Sequence, residues 1–276
     1  MATAAGVVGF MWAGMTALLM ASQRKLLFNP PTQREVDKPR SSGHRTRAIV
    51  LRASDGTRLA GWLMTPREPG PKPAVVYFGG RSEEVSWLVR DAGALFPGMV
   101  VLALNYRGYG DSHGVPGEVQ MVEDGCMQLE WLRSRRNVDS SRLAVVGRSL
   151  GSGVAVQVAR QCPVQATVLI TPYDSILALA QRRFRALPIS MLLQHRFDST
   201  AHAALLATPT YVLRAASDDI VPHSHTDELV NKLGCLHGDE IVPESDHLNI
   251  PYLASTQQKI ASFLCAQFTQ NSRQLR

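Results

Sequence analysis

The sequence predicts an α/β fold in which helices cover both faces of a mostly parallel sheet. From residue 74 onward, short apolar runs alternate with segments of helical spacing, and this alternation is typical of parallel sheets. The apolar runs are continuous, which indicates strands that are buried on both faces. Hydrophobic residues make up 45% and charged residues 19% of the 276 residues, as in a globular protein with one large domain.

The individual elements follow from their local patterns. Two extended runs around Ser54-Asp55-Gly56 predict a hairpin within residues 47–64. Buried strands are predicted at AVVYF (74–78), MVVLAL (99–104), RLAVV (142–146), ATVLI (166–170), TYVLRA (210–215) and DEIV (239–242). Helices are predicted at 82–96, 117–135, 149–161, 224–234 and 253–268.

Residues 1–23 form an apolar segment with no charged side chain before Arg24. About 20 helical residues at roughly 1.5 Å each would span the roughly 30 Å hydrocarbon core of a bilayer. We therefore expect a retained transmembrane anchor. A cleaved signal peptide is the alternative, although the basic n-region that is typical of such peptides is absent.

Basic residues follow the apolar segment, and residues 24–46 form a predicted basic linker. The positive-inside rule then predicts that the rest of the chain is cytoplasmic. The formal net charge of +6 favours contact with anionic membrane lipid, and no nucleic-acid motif accompanies it. The folded domain is expected over 47–268, with a polar tail at 269–276. The early basic residues are Arg24, Lys25, Arg34, Lys38, Arg40, Arg45 and Arg47.

The four cysteines are widely spaced and include no Cys-x-x-Cys pair. This spacing favours neither a metal site nor a disulfide framework. We expect scattered, mostly core-facing thiols, which fit a reducing compartment. They are Cys126, Cys162, Cys235 and Cys265.

A Gly-x-Ser-x-Gly pentad lies where a predicted strand ends and a small-residue helix begins. Gly147 and Gly151 remove side chains where the chain turns sharply, and the turn exposes the Ser149 hydroxyl at a helix N-terminus. In this context the pattern favours a catalytic nucleophile. The alternative is an ordinary turn between a strand and a helix.

A serine nucleophile needs a base and an orienting acid, and in such folds these follow it in the order Ser, acid, His. Asp218 and Asp219 follow the strand at 210–215. We favour Asp218 as the acid, with Asp219 as the alternative. His247 lies in the loop between the last predicted strand and the final helix, and it is the favoured base. The remaining histidines after the acid are expected at the surface or in a turn; they are His223, His225 and His237.

An oxyanion hole requires backbone N–H groups, each of which is typically worth about 3–4 kcal/mol of transition-state stabilisation. The N–H of Leu150, directly after the nucleophile, is one candidate. The stretch YFGGRSEE follows the first buried strand, and there the N–H of Arg81 is the second candidate. Gly79 and Gly80 permit close approach of the backbone. A simple glycine turn is the alternative reading of this stretch.

These stretches together resemble the α/β-hydrolase superfamily, in particular the small membrane-anchored group akin to serine aminopeptidase-type hydrolases and abhydrolase-domain depalmitoylase-like proteins. The resemblance covers about residues 48–268. It implies a short helical cap at about residues 173–208. It also implies an eight-stranded, mostly parallel sheet and places Ser149, Asp218 and His247 at the triad positions. The motifs are FGGRSEE, NYRGYGDSHGVPGE, VVGRSLGSGVA, TPYDS, HRFDS and SDDIVP…SDH.

Other polar residues receive supporting roles. Arg107 and Asp111 lie in a loop that resembles a structural loop of the family, and we expect them to brace the floor of the active site. Arg148, the variable residue of the pentad, has no role that the sequence assigns. The arginines of the cap form either a solvated face or a surface for lipid headgroups or an acyl substrate; they are Arg182, Arg183, Arg185 and Arg196.

The resulting prediction is a serine hydrolase that cleaves small-molecule carboxylic esters or thioesters through an acyl-enzyme intermediate. We expect it to use no cofactor and no metal, to contact membrane lipid and to bind no nucleic acid. A peptidase with the same triad is one alternative. A non-catalytic, membrane-tethered scaffold with the same fold is the other.

Overall fold

A computed structural model describes residues 2–31 and 43–274 of the chain. Within these residues, eight strands form one sheet in the order β1-β2-β4-β3-β5-β6-β7-β8. Every predicted buried run lies within one of them, except that the run predicted at 99–104 begins one residue before its strand. The strands are β1 (His44–Arg52), β2 (Arg58–Pro66), β3 (Lys72–Phe78), β4 (Val100–Leu104), β5 (Val138–Arg148), β6 (Ala166–Ile170), β7 (Thr210–Ser217) and β8 (Leu236–Asp246).

Helices flank the sheet, and a short 3-10 turn, Ile250–Tyr252, precedes the last of them. Each of the five predicted helices corresponds to one of these. The helices in the described part of the chain are α1 (Ala2–Phe28), α2 (Trp87–Leu95), α3 (Glu118–Arg133), α4 (Leu150–Gln161), α5 (Ile176–Arg183), α6 (Ile189–Leu192), α7 (Ser199–Ala203), α8 (His223–Val230) and α9 (Ala254–Gln274).

The sheet is antiparallel at one edge and parallel elsewhere. β1 and β2 form the predicted hairpin, which runs from His44 opposite Pro66 to Arg52 opposite Arg58. β2 is antiparallel to β4, and the other neighbours are parallel. The carboxyl ends of β3, β5, β7 and β8 therefore meet at one edge, where ligands bind in open α/β sheets. The predicted eight-stranded, mostly parallel sheet is confirmed.

Strand β3 shows why the buried runs are apolar throughout. Val76 and Phe78 belong to the core cluster that contains residues of α3 and α4. Val75 and Tyr77 belong to the opposite cluster, which contains residues of α2 and α9. Because both faces are covered, no position of the strand can be polar at low cost, and burial of each large apolar side chain stabilises the fold by about 1.5–3 kcal/mol.

The apolar N-terminal segment forms α1, which ends at Phe28 and not at the predicted boundary after residue 23. Its end is bonded to the folded domain, because the Phe28 carbonyl accepts hydrogen bonds from the N–H of Ser82 and the hydroxyl of Tyr109. The predicted linker at 24–46 is correspondingly shorter, since β1 begins at His44; residues 32–42 lie outside the described residues. In the part of the chain that the structure describes, no helix is both long and apolar enough to cross a bilayer.

The C-terminal boundary also differs from the prediction. α9 runs from Ala254 to Gln274, through most of the predicted polar tail at 269–276; residues 275–276 lie outside the described residues. The tail contains neither glycine nor proline, so its sequence has no residue that ends a helix strongly. The predicted cap at 173–208 contains the three short helices α5, α6 and α7.

The cysteines depart from the expectation of scattered thiols. Cys126 of α3 and Cys162 at the end of α4 form a disulfide, with their Cα atoms 6.2 Å apart across 36 residues of sequence. That separation falls within the roughly 4.4–6.8 Å range of disulfides, because α3 and α4 lie side by side. Cys235 and Cys265 are free, and Cys265 is exposed and does not face the core.

Candidate active site

Ser149 occupies the sharp turn between β5 and α4. Its backbone has φ 49° and ψ −117°, a conformation that costs an L-residue about 1–3 kcal/mol. Glycines make the turn possible: a Cβ at Gly147 would overlap the carbonyl of Gly151, and a Cβ at Gly151 would overlap that of Phe78. The N–H of Ser149 donates to the carbonyl of Ile170 on β6 at 2.9 Å. The turn therefore holds Ser149 at the carboxyl edge of the sheet.

Ser149, His247 and Asp218 form one hydrogen-bonded chain. Nδ1–H of His247 donates to Oδ2 of Asp218 at 2.8 Å, which leaves Nε2 to accept from the Ser149 hydroxyl at 2.8 Å. The side chains of His247 and Asp218 are only 7% and 3% exposed, so their interaction is weakly screened by water. The geometry is that of a base that can take the proton of a serine hydroxyl.

Of the two candidate carboxylates, Asp218 contacts His247, whereas Asp219 is exposed. Oδ1 of Asp218 also accepts from the N–H groups of Ile220 at 3.0 Å and Val221 at 2.7 Å. Burial acts to raise the pKa of Asp218, but the hydrogen bond and charge of His247, with these N–H groups, outweigh it and hold the pKa below its usual value. Asp218 is therefore ionised and can stabilise an imidazolium.

The two predicted oxyanion donors lie on either side of the nucleophile. Leu150 is the first residue of α4. Arg81 follows Gly80, where a Cβ would lie 3.6 Å from the Cβ of Ser149. Within the described residues, neither the N–H of Arg81 nor that of Leu150 donates to a loop or turn acceptor, and the first N–H groups of a helix such as α4 have no partner within the helix. Both can therefore donate to a ligand at this point.

The glycine loop that precedes Arg81 is held from two sides. The N–H of Gly80 donates to Oε2 of Glu83 at 2.7 Å. The hydroxyl of Tyr106 donates to the carbonyl of Gly79 at 2.8 Å. These bonds give the loop one conformation before any substrate arrives, which is what electrostatic stabilisation of an oxyanion requires.

Arg148 joins the glycine loop to the histidine loop. Its Nη1 donates to Oε2 of Glu83 at 2.8 Å, and its Nη2 donates to the carbonyls of His247 and Leu248, both at 3.1 Å. The guanidinium also lies over the ring of Tyr252, 6.0 Å from its centroid. The variable residue of the pentad thus links the loop of the candidate base to the loop of a candidate oxyanion donor.

Glu83 is the other half of this link, and sequence reasoning missed it. Its Oε1 accepts from the Tyr77 hydroxyl and from Nε1 of Trp87, both at 2.8 Å. Burial, together with the Glu83 charge, holds the pKa of Tyr77 well above its usual value. Glu83 and Arg148 are 65 residues apart, and no local pattern signals their pairing. Loss of either member would leave a buried charge without its oppositely charged partner, at a cost of about 3–5 kcal/mol.

Arg107 stabilises the loop after β4 and does not contact the triad. It forms a two-pronged ion pair with Asp124 of α3, with N–O distances of 2.8 and 2.9 Å. It also pairs with Asp55 in the turn between β1 and β2. The side chain of Asp111 lies at an exposed position. The loop is therefore braced mainly by Arg107 against α3 and the hairpin.

The other histidines lie elsewhere. His225 was expected at the surface, but α8 packs against the loop after β6, and His225 is buried with Nδ1 2.9 Å from Oδ1 of Asp174. His223 bonds to the carbonyl of Ala215 at 2.8 Å, and the ring of His237 packs on Phe263. Among the described residues, no group of three His, Cys, Asp or Glu side chains could hold a metal ion.

Comparison with known proteins points to one family. The pattern of the serine aminopeptidase family, S33, matches residues 69–195. An uncharacterized protein of Mycobacterium tuberculosis is 34% identical over 228 residues, which cover 82% of this chain and 78% of that protein. The lysophosphatidylserine lipase ABHD12 of Danio rerio is 26% identical over 247 residues, which cover 72% of this chain and 63% of the lipase.

Solved structures share the fold. The acetyl xylan esterase from Paenibacillus sp. R4 superposes with a TM-score of 0.66 at 22% identity, over 84% of this chain and 86% of the esterase. The Pyrococcus furiosus esterase Pf2001 superposes with a TM-score of 0.67 at 17% identity, over 87% and 98%. Together with the sheet order and the sequence matches, these similarities show that the chain belongs to the α/β-hydrolase superfamily and to one family with the Mycobacterium tuberculosis protein.

Proposed function

We propose that this protein is a serine hydrolase that cleaves carboxylic ester or thioester bonds through an acyl-enzyme intermediate. One observation carries the proposal: the Ser149 hydroxyl, the His247 imidazole and the Asp218 carboxylate form an unbroken hydrogen-bonded chain. Each of its two hydrogen bonds is 2.8 Å long. A serine hydroxyl is a weak nucleophile until a neighbouring base takes its proton. The ionised, buried Asp218 keeps His247 in the tautomer that can do so.

The reaction proceeds in two halves. Oγ of Ser149 bonds to the acyl carbon while its proton passes to Nε2 of His247, and the N–H groups of Arg81 and Leu150 stabilise the negative oxygen of the tetrahedral intermediate. The intermediate collapses, and the leaving alcohol or thiol takes the proton from His247. Water then attacks the acyl-enzyme with His247 as the base, and collapse of the second intermediate releases the acid and restores the Ser149 hydroxyl.

The names of the similar proteins support an acyl ester substrate: one is a lysophosphatidylserine lipase and one an acetyl xylan esterase. The name of the family, serine aminopeptidase, favours a peptidase as the second candidate. The two candidates share the triad and differ in the bond that is cleaved. Parallel assays with p-nitrophenyl esters, acyl thioesters and aminoacyl anilides distinguish them.

A fluorophosphonate probe tests the nucleophile directly. We expect the wild type to form a covalent phosphonate ester with loss of fluoride, because the probe reacts with a serine whose hydroxyl is activated by a base. Ser149→Ala should show no labelling in gel fluorescence, while Ser140→Ala, which removes an exposed serine, should label like the wild type. Equal labelling of Ser149→Ala would contradict the assignment, and absence of labelling in the wild type would favour a non-catalytic scaffold.

We also propose that the N-terminal segment attaches the chain to a membrane, with the hydrolase domain on the cytoplasmic side. The apolar run at 1–23 and the basic residues after it support this. Trp12 and Met15 of α1 are 48% and 59% exposed, and large exposed apolar side chains favour contact with another apolar phase.

Reporter fusions test the membrane side in a bacterial host. A C-terminal green fluorescent protein should fluoresce in the membrane fraction, and a C-terminal alkaline phosphatase, which is active only in the periplasm, should be inactive. An active phosphatase would contradict the proposal and would place the Cys126–Cys162 disulfide in a compartment where disulfides persist.

A further inference from the structure

An apolar cavity lies between the C-terminal half of α1 and the cap helices α5 and α6. Its volume is about 150 Å³, similar to that of apolar protein cavities that bind small hydrocarbons. Two different parts of the chain form its walls, and nearly all of the lining side chains are apolar. The apolar lining residues include Leu26, Leu27, Ala180, Phe184, Ile189 and Leu192.

Gln23 lines the same cavity, and its polar atoms are already bonded. Its Nε2 donates to the carbonyl of Met20 at 3.2 Å and reaches that of Leu192 at 3.5 Å, while its Oε1 accepts from the N–H of Gln194 at 3.0 Å. This side chain therefore joins α1 to the cap and presents no unpaired polar atom to the cavity. A ligand there gains from apolar contact and not from hydrogen bonds.

The α1 wall of the cavity and the start of the cap at Tyr173 are each hydrogen-bonded to a segment that carries a candidate oxyanion donor. Nε of Arg81 donates to the carbonyl of Leu26 at 2.8 Å, so the lining turn of α1 is bonded to the glycine loop. On the cap side, the hydroxyl of Tyr173 donates to the carbonyl of Leu150 at 3.3 Å. The α1 wall of the cavity is therefore one hydrogen bond away from the glycine loop that carries Arg81.

We propose that this cavity binds the alkyl chain of an acyl substrate, so that the N-terminal helix α1 forms part of the substrate-binding site. The inference rests on the proposed serine hydrolase function and adds the substrate class, a monoacyl ester or thioester with a linear alkyl chain. A charged group of a substrate cannot enter this pocket cheaply, whereas each methylene of an alkyl chain that is buried there strengthens binding. The chain-length preference of the enzyme is therefore built jointly by α1 and the cap.

Chain-length kinetics test the proposal. Wild type should cleave p-nitrophenyl decanoate with a higher kcat/KM than the acetate. Ala180→Trp and Leu26→Trp, which fill the cavity from its two walls, should each lower the decanoate-to-acetate ratio at least tenfold. Gln181→Trp adds the same side chain at the next, exposed position of α5 and should keep the wild-type ratio. A wild type without chain-length preference, or filling variants with the wild-type ratio, would overturn the proposal.

A binding experiment separates this proposal from the catalytic one. Full-length Ser149→Ala should bind decanoic acid in calorimetry, and adding Ala180→Trp or Leu26→Trp should weaken the binding at least tenfold, with thermal unfolding as the check on folding. If acetate is cleaved but decanoic acid does not bind, the cavity assignment fails and the hydrolase stands. If decanoic acid binds but no ester is cleaved and no probe labels Ser149, the catalytic proposal fails.

Discussion

Replacement of Ser149 by alanine is expected to lower kcat for ester hydrolysis about a millionfold, and replacement of His247 by alanine should do nearly the same. The reason is that the two side chains act as one unit through the 2.8 Å bond between Oγ and Nε2. Without the base the hydroxyl keeps its proton, and without the hydroxyl the base has no nucleophile to activate. The Ser149→Ala/His247→Ala double variant should therefore be about as slow as either single variant.

Steady-state kinetics with a p-nitrophenyl ester measure these values, and Ser140→Ala serves as the matched serine control. Thermal unfolding of each variant shows that the fold is intact. Residual activity near the wild-type level in either single variant, or a double variant slower by the product of the two single effects, would contradict a shared catalytic unit.

Replacement of Asp218 by asparagine is expected to lower kcat about ten-thousandfold. The asparagine keeps an oxygen that can accept from the N–H groups of Ile220 and Val221, so the loop should hold its shape. It loses the negative charge that stabilises the imidazolium, and its amide N–H₂ can turn His247 to the wrong tautomer. Since the pKa of Asp218 lies below its usual value, the charge that is lost is present throughout the neutral range.

Asp219→Asn is the matched control, because Asp219 is adjacent, exposed and outside the hydrogen-bonded chain. It should keep kcat within about twofold of the wild type, as expected for a surface substitution. A larger loss of kcat in Asp219→Asn than in Asp218→Asn would reverse the assignment of the acid.

Much of the fold could be predicted from the sequence because its strongest signals are local. The apolar runs at 74–78, 166–170 and 210–215 all lie in strands, since a strand that is covered on both faces has to be apolar along its whole length. The element ends were less certain. α1 and α9 both extend beyond their predicted limits. The end of α1 is bonded to the folded domain through the Phe28 carbonyl, and the sequence after residue 268 contains no glycine or proline that would end α9.

The three candidate triad residues could also be proposed from order and position. Each of Ser149, Asp218 and His247 follows a strand, and the carboxyl ends of parallel strands meet at one edge. The long-range contacts that hold the surrounding loops and helices could not be predicted in this way. The Arg148–Glu83 pair and the Cys126–Cys162 disulfide join residues 65 and 36 positions apart, and such pairings depend on how loops and helices lie against one another.

By itself, therefore, the sequence determined the α/β architecture, the turn at Ser149 and the order of the acid and the base, because strand burial and glycine conformation are local properties. Only the tertiary structure decided between Asp218 and Asp219 as the contact of His247, gave Arg148 its partners and brought α1 against the cap beside the glycine loop. Those outcomes depend on distances of about 3 Å between residues that are remote along the chain, which local patterns do not encode.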